Sequence, residues 1–238
     1  MIKNHTACKF PSNSNIKIWR YLDLSKFVDL ILNESLYFTR ADEFDDIFEG
    51  SLPRPSVLAR QNQLKELSSN NTEHKTEFWN KIGIEFKKKY AINCWHMNDF
   101  ESAAMWKIYL KTDEGIAIQS TYQRLKDCLN KLPKPVYLGI VNYIDYEKDL
   151  IDWGNRMVPF FHKRKSFLHE QELRAVIRGF DYDLNNGGIK LPIDINLLIE
   201  SVYVAPYAPK WFNQLIKDIL VGKKIEVINS RLEDKPIF

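Results

Sequence analysis

The sequence predicts an α+β protein: a mixed, mostly antiparallel sheet with flanking helices, one domain over residues 1–238 with a helical insertion at about 54–89. Three observations predict it. Some seven to nine short stretches carry the apolar alternation of strands. Helical patterns interrupt these stretches without alternating regularly with them, which argues against a doubly wound parallel sheet. Between Pro53 and Lys89 the chain turns polar and helix-forming, unlike the segments on either side.

Taken in order, "NIKIWRYLD" (15–23) reads as a first strand and "SKFVDLILNES" as a short helix, with Ser25 as N-cap and Phe27, Leu30 and Ile31 as its apolar stripe. "LYFTRADEFDD" (36–46) returns as a strand leading into a loop. The insertion follows as two helices broken at "SSNNT". "YAINCWHM" (90–97) is a strand, "SAAMWKIYL" (102–110) a helix and "GIAIQS" (115–120) a strand. "TYQRLKDCLNKL" is helical and stops at Pro133; "VYLGIVNYID" (136–145) is one strand, and "WGNRMVPFFHKRK" is irregular or helical. "KSFLHEQELRAVIR" (165–178), "GGIKLPI" and "ESVYVAP" are strands, "KWFNQLIKDIL" is a closing helix and "KIEVINSRL" a last strand.

Composition removes several function classes. A net charge of +3, with no segment concentrating it into a long basic arm, is too small to argue for nucleic-acid binding. Cys8, Cys94 and Cys128 are widely spaced and form no CxxC pair, which speaks against a disulfide framework or a structural zinc. The polar start "MIKNHTACKFPSNSN" has no signal-peptide apolar core, and no run reaches the ~20 apolar residues of a membrane helix. A reduced cytoplasm and no membrane partner are the expectation. P-loop, G-x-G-x-x-G and G-x-S-x-G motifs are absent.

Chemistry is concentrated in three places. In "HEQELR", strand alternation places Glu170, Glu172 and Arg174 on one face, with Leu173, Ala175 and Ile177 on the other. Neighbouring carboxylates raise each other's pKa and an arginine lowers both. Such a row suits general-base work, a ribose hydroxyl or a metal; it equally describes an exposed Glu–Arg ladder. The opening strand–helix–strand places Arg20 among aromatics, where it needs a partner, and Thr39 and Arg40 at a strand end. Asp42, Glu43, Asp45, Asp46 and Glu49 then form an acidic loop, read as a solvated, self-capping turn. Third, Cys94 and His96 share a strand face, with Asp99 nearby, but no ordered hydrolase or metal-ligand pattern joins them. Met105, Trp106 and Tyr109 at helical spacing are core residues first.

Four segments, "WRYLDLSKFVDLILNESLYFTRADEFDDIFEG", "CWHMNDFESAAMWKIYLKTDEGIAIQ", "KSFLHEQELRAVIR" and "IESVYVAPYAP", resemble in order the bacterial family known as domain of unknown function 2971, over residues 16–209. Asp45 stands where that family usually has Asn, and Ile47 where it has Pro. A second resemblance is to ADP-ribosyltransferases that use NAD. They carry a strand-borne Arg or His, then a Ser/Thr or Tyr strand, then a late strand with a catalytic Glu, often as E-x-E. Arg20, then Tyr37 and Thr39, then Glu170-Gln171-Glu172 match that order; the usual glycine before the second strand is replaced by Asn33-Glu34-Ser35. This resemblance implies that Glu172 stabilises the oxocarbenium-like centre formed when the nicotinamide–ribose bond breaks, and that Glu170 activates the acceptor. Arg20 would hold the NAD phosphates or ribose, Thr39 with Tyr37 the nicotinamide ribose, and Tyr21 or Trp106 would stack on the nicotinamide. The expected acceptor is nucleic acid or protein, and no metal is expected. Two readings from other classes compete with it. One is a non-catalytic binding module of a phage-defence or stress system, using Asp42–Glu49 and helices 54–89 as a partner surface. The other is a metal-dependent nuclease or phosphoesterase using Glu170, Glu172 and Asp46, which the modest net charge ranks last.

Overall fold

In the computed structural model, which describes residues 1–66, 72–110 and 114–238, a single strand organises the fold. The chain opens with β1 (Lys17–Asp23), α1 (Leu24–Asn33) and β2 (Ser35–Arg40). The inserted helices α2 (Arg54–Glu66) and α3 (Thr72–Lys87) lead to β3 (Tyr90–Met97), the organising strand. Next come α4 (Ala103–Tyr109), β4 (Gly115–Thr121) and α5 (Tyr122–Asn130). Four strands follow: β5 (Tyr137–Ile140), β6 (Asn142–Ile144), β7 (His162–Arg164) and β8 (Glu172–Arg178). The chain closes with β9 (Gly188–Pro192), α6 (Ile195–Leu198), β10 (Ser201–Val204), α7 (Lys210–Ile219) and β11 (Glu226–Asn229).

Nine of these strands form one sheet in the order β11-β10-β4-β1-β3-β2-β9, with β8 also on β3 and β5 beyond β8. Its pairings are antiparallel except β10 with β11, so the predicted α+β class holds. β6 and β7 pair in parallel as a separate two-stranded ribbon.

The sheet forks at β3. On one edge β8 pairs with β3 from Tyr90↔Arg178 to His96↔Glu172. The other edge is divided: β1 takes the Met97 end (Ile18↔Met97, Trp19↔His96), and β2 takes the other end (Thr39↔Ile92, Arg40↔Ala91). Between those pairings lie Asn93–Trp95, where side chains supply the contacts. Asn93 Nδ2 donates to the Tyr37 carbonyl (2.9 Å), and Arg20 Nη1 donates to the Cys94 carbonyl (2.8 Å). A carbonyl left without a strand partner needs such a donor.

Strand alternation then makes two layers. Ala91, Trp95, Leu173, Ala175 and Ile177 face the main apolar core, with Phe27, Leu30 and Ile31 of α1, Leu125 of α5 and Phe212 of α7. Tyr90, Ile92 and Val176 face a smaller cluster with Tyr137, Met157, Phe160 and Phe161. Tyr90 stacks on Phe160 there, their ring centres 4.2 Å apart.

Several local expectations change. Asp23, not Ser25, caps α1: its carboxylate accepts from the Lys26 amide (2.9 Å), and Ser25 Oγ donates to the same carboxylate. The expected strand 136–145 divides into β5 and β6, which belong to different sheets. Most consequential is "KSFLHEQELRAVIR": Lys165–Glu170 is a 3-10 helix, and the strand begins only at Glu172. Gln171 between them is left-handed (φ 41°), a conformation that ends one element and re-aims the chain. The insertion is helical as expected, and its predicted break at Ser68–Asn71 lies outside the described residues. It is anchored by Ser56, whose hydroxyl donates to the Ile151 carbonyl (3.0 Å) and accepts from the Ile151 amide (2.8 Å). Among the described residues no helix is long and apolar enough to cross a membrane.

Candidate functional site

At the His96 end of the β3–β8 pair, the β8 side chains that face away from the main core, Glu172 and Arg174, are charged. Arg174, fully buried, lies between two carboxylates. Its Nε and Nη2 donate to Glu172 (2.6 and 3.1 Å), while Nη1 and Nη2 donate to Glu49 (2.6 and 2.8 Å). Nη1 also donates to the Phe160 carbonyl (2.9 Å). Lys163, carried over this layer by the β6–β7 ribbon, donates to Glu172 Oε1 (2.8 Å) and to Glu170. The same ribbon supplies Tyr143, whose hydroxyl accepts from the Glu172 amide (2.8 Å). Five charged groups from three separated stretches of chain, with the Tyr143 hydroxyl from a fourth, thus form one network.

The electrostatics follow from burial and pairing. Burial alone would raise the Glu172 carboxyl, but Arg174, Glu170 and Lys163 hold it well below the usual carboxylate range. Burial, then the hydrogen bond and charge of Glu172, push Glu170 up to about 8 against the pull of Lys163. Burial also raises Glu49, which Arg174 only partly offsets, and burial with the Glu172 charge raises the Cys94 thiol. A thiol held protonated is a poor nucleophile, so Cys94 serves the site through its backbone carbonyl instead. His96 Nδ1 donates to the Glu170 carbonyl (2.7 Å), while its buried Nε2 has no partner among the described residues.

The residues singled out in the sequence meet around β3, but in altered roles. Arg20 reaches β3 through the Cys94 carbonyl, Thr39 is registered opposite Ile92 and Tyr37 is held through Asn93; Glu172 is registered opposite His96. Glu170 is not on the strand with Glu172. It joins that residue from the end of the 3-10 helix, because Lys163 holds its carboxyl and His96 its carbonyl. The row is also no solvated ladder, since Glu172 and Arg174 are 4% and 0% exposed. Tyr21 and Trp106 pack edge to face (4.9 Å between ring centres) and are buried, so neither offers an open ring face. The Tyr21 hydroxyl accepts from the Ser102 amide and Trp106 Nε1 donates to Glu101.

The acidic loop is not the free surface expected of it. Glu49 is inside with Arg174, Asp46 pairs with Arg164 (2.8 Å), and Asp42 and Glu43 pair with Arg40 (2.6 and 3.1 Å). Gly50 makes that inward turn possible: its φ is +66°, and a Cβ there would lie 2.4 Å from Phe160 Cε1. Asp46 engages Arg164 while Glu170 and Glu172 engage Lys163, so these three carboxylates do not share a centre. Among the described residues no group of three or more His, Cys, Asp or Glu could hold a metal ion.

Lys163 and Tyr143 were missed as site residues and Tyr109 was read as core, while Glu49 and His96 were weighed only in the acidic loop and beside Cys94. Burial, with the charges of Glu170 and Glu172, raises the Tyr109 hydroxyl. A fork in an α+β sheet, floored by a buried ion network, is the class of arrangement that fold and site define. No family model, curated protein or solved structure matches the chain.

Proposed function

We propose that NAD binds at the gap that β1 and β2 leave along β3 and that the protein transfers ADP-ribose to a nucleic-acid or protein acceptor, as a cytoplasmic enzyme related to the domain of unknown function 2971 family. The observation that carries this reading is the convergence on β3 of Arg20, Tyr37, Thr39 and Glu172, four residues distant in sequence. Glu172, kept ionised by Arg174 and Lys163, supplies the negative charge that an oxocarbenium-like centre requires. Glu170 is the proton-exchanging partner, because its carboxyl titrates at about 8. Arg20 is half-buried and, among the described residues, is hydrogen-bonded to a neutral carbonyl, for which a phosphate can compete. Tyr37 and Tyr109, each partly exposed, are better aromatic surfaces for a ligand than the enclosed Tyr21 and Trp106.

The test combines NAD calorimetry with release of labelled nicotinamide in the presence of RNA, DNA or protein acceptors. Binding and turnover are expected in the native protein, with turnover falling about a hundredfold in Glu172→Gln, the scale of one lost electrostatic contact to a transition state. Absence of NAD binding sinks the reading, and undiminished turnover in Glu172→Gln sinks the assignment of that residue. The loop Asp42–Glu49 gives little support to a partner-docking role, since four of its carboxylates already have cations of this chain.

A further inference from the structure

We propose that the end of the sheet where β3 begins and β8 stops binds single-stranded nucleic acid. This names the acceptor class of the transfer above and in that respect rests on the NAD reading; the binding itself does not.

The cations of this region are scattered in sequence and gathered by strand pairing. β3 opens at Tyr90, registered opposite Arg178, the last residue of β8, and β5 opens beside them at Tyr137, opposite Val176. The Arg178 guanidinium lies 5.2 Å from the centre of the Tyr137 ring. Next to it, the Lys89 carbonyl accepts from the Gly179 amide (2.7 Å) and the Lys89 amide donates to the Phe86 carbonyl (2.9 Å). Arg156 lies over that Phe86 ring at 3.9 Å. After Arg178, the Tyr182 amide donates back to the Arg178 carbonyl (3.1 Å), and the Tyr182 hydroxyl donates to the Lys134 carbonyl (3.0 Å). Lys134 Nζ is 5.3 Å from the Tyr182 ring centre. Lys89, Lys134, Arg156 and Arg178, from four separate stretches of chain, thus meet on one rim.

The way these cations are held differs from much of the remaining surface. Arg40, Arg54, Lys131, Lys190 and Lys223 are each paired with a carboxylate. On the rim Arg178 pairs with Asp181 (3.0 Å), whereas among the described residues no carboxylate meets Lys89, Lys134 or Arg156, all three exposed. The four cations and Asp181 together carry +3, as much as the whole chain, so a charge too small to favour a polyanion when spread out is concentrated here. Arg156 and Arg178 rest on aromatic rings instead. A ring holds a guanidinium by its flat face and leaves the N–H edge for a phosphate.

A second observation separates nucleic acid from other polyanions. Phe180, on the turn that leaves Arg178, is 75% exposed. An exposed aromatic beside phosphate-binding cations is a stacking platform for an unpaired base. A duplex keeps its bases inside and an acidic peptide has none, so a single strand is the partner that uses both the charge and the ring.

Fluorescence anisotropy tests this without NAD, using labelled RNA and DNA single strands of about 20 nucleotides, the corresponding duplex and polyglutamate over a salt series. The single strands are expected to bind more tightly than the duplex or polyglutamate, and more weakly as salt rises. Arg156→Ala and Lys89→Ala should each make the logarithmic salt slope shallower by about 0.7, the share of one phosphate contact. Phe180→Ala should weaken binding at least about fivefold at an unchanged slope. Lys223→Ala, which removes a cation already paired with Glu34, should change neither. All four positions are at the surface, and thermal unfolding checks that each variant keeps its fold. No single-strand binding, a duplex or polyglutamate bound as tightly, or rim variants that bind like the native protein overturns the inference. Nicotinamide release alongside such a failure leaves the NAD reading standing. Single-strand binding by a protein that does not bind NAD upholds the inference and sinks that reading.

Discussion

The two faces of β8 are equally dry and are kept dry in opposite ways. Leu173, Ala175 and Ile177 on one face are each fully buried, and their burial is favourable without any partner of matching chemistry. Glu172 and Arg174 on the other face are as enclosed, yet each is tolerated only because Glu49 and Lys163 arrive from elsewhere in the chain. An apolar face accepts any filler of the right volume, whereas the charged face requires particular residues in particular places. That difference makes the charged face the better candidate for chemistry, and it sets how each face should respond to change.

The largest effect is expected at Arg174→Leu, which strands two buried carboxylates; unfolding by denaturant should show a loss of about 3–5 kcal/mol, or no folded protein. On the opposite face Leu173→Ala should cost about 2–5 kcal/mol and respond little to pH, because only volume and contact are lost. A loss at Arg174→Leu smaller than at Leu173→Ala would break the comparison. Glu170→Gln sharpens it through pH. The Glu170 carboxyl titrates at about 8 in the fold against an ordinary 4.5, so the folded protein holds a proton that the unfolded chain releases. Its stabilisation is therefore complete below pH 4.5 and is lost as pH rises through about 8. Native stability should decline across that window and the Gln variant should lack the decline, as thermal unfolding at a series of pH values would show. Glu172 has the opposite sign, since its depressed carboxyl contributes at neutral pH and fails only in strong acid. The smallest effect is expected for Arg54→Ala, whose pair with Glu147 is about 70% exposed on both sides; its cost should stay under about 1 kcal/mol.

The apolar face was legible in the sequence, and the charged face was only half so. β3 matches the expected 90–97 strand residue for residue, and β4 and α4 agree within a residue or so, because alternation and helical spacing are local signals. The pairing of Glu172 with Arg174 was also readable, since residues two apart on a strand share a face. Glu170 broke that logic because Gln171 adopts a left-handed conformation that the letters "EQE" do not announce. Glu49 was hidden for another reason. It lies 125 residues from Arg174, and nothing local distinguishes it from the surface carboxylates beside it. Lys163 sits on a three-residue strand, too short for any periodic pattern to reveal, and Arg20 found its partner in a backbone carbonyl that no side-chain pattern encodes.

Gly50 has a consequence for how freely this chain can vary. The carboxylates around it differ in what they demand: Asp45 is exposed, and reversing its charge asks nothing of the interior. One added methyl at position 50, neutral and small, would meet Phe160 in a backbone conformation that resists any side chain, and would swing Glu49 away from Arg174. The permissible spelling of the loop is thus governed less by its conspicuous charges than by its one missing carbon.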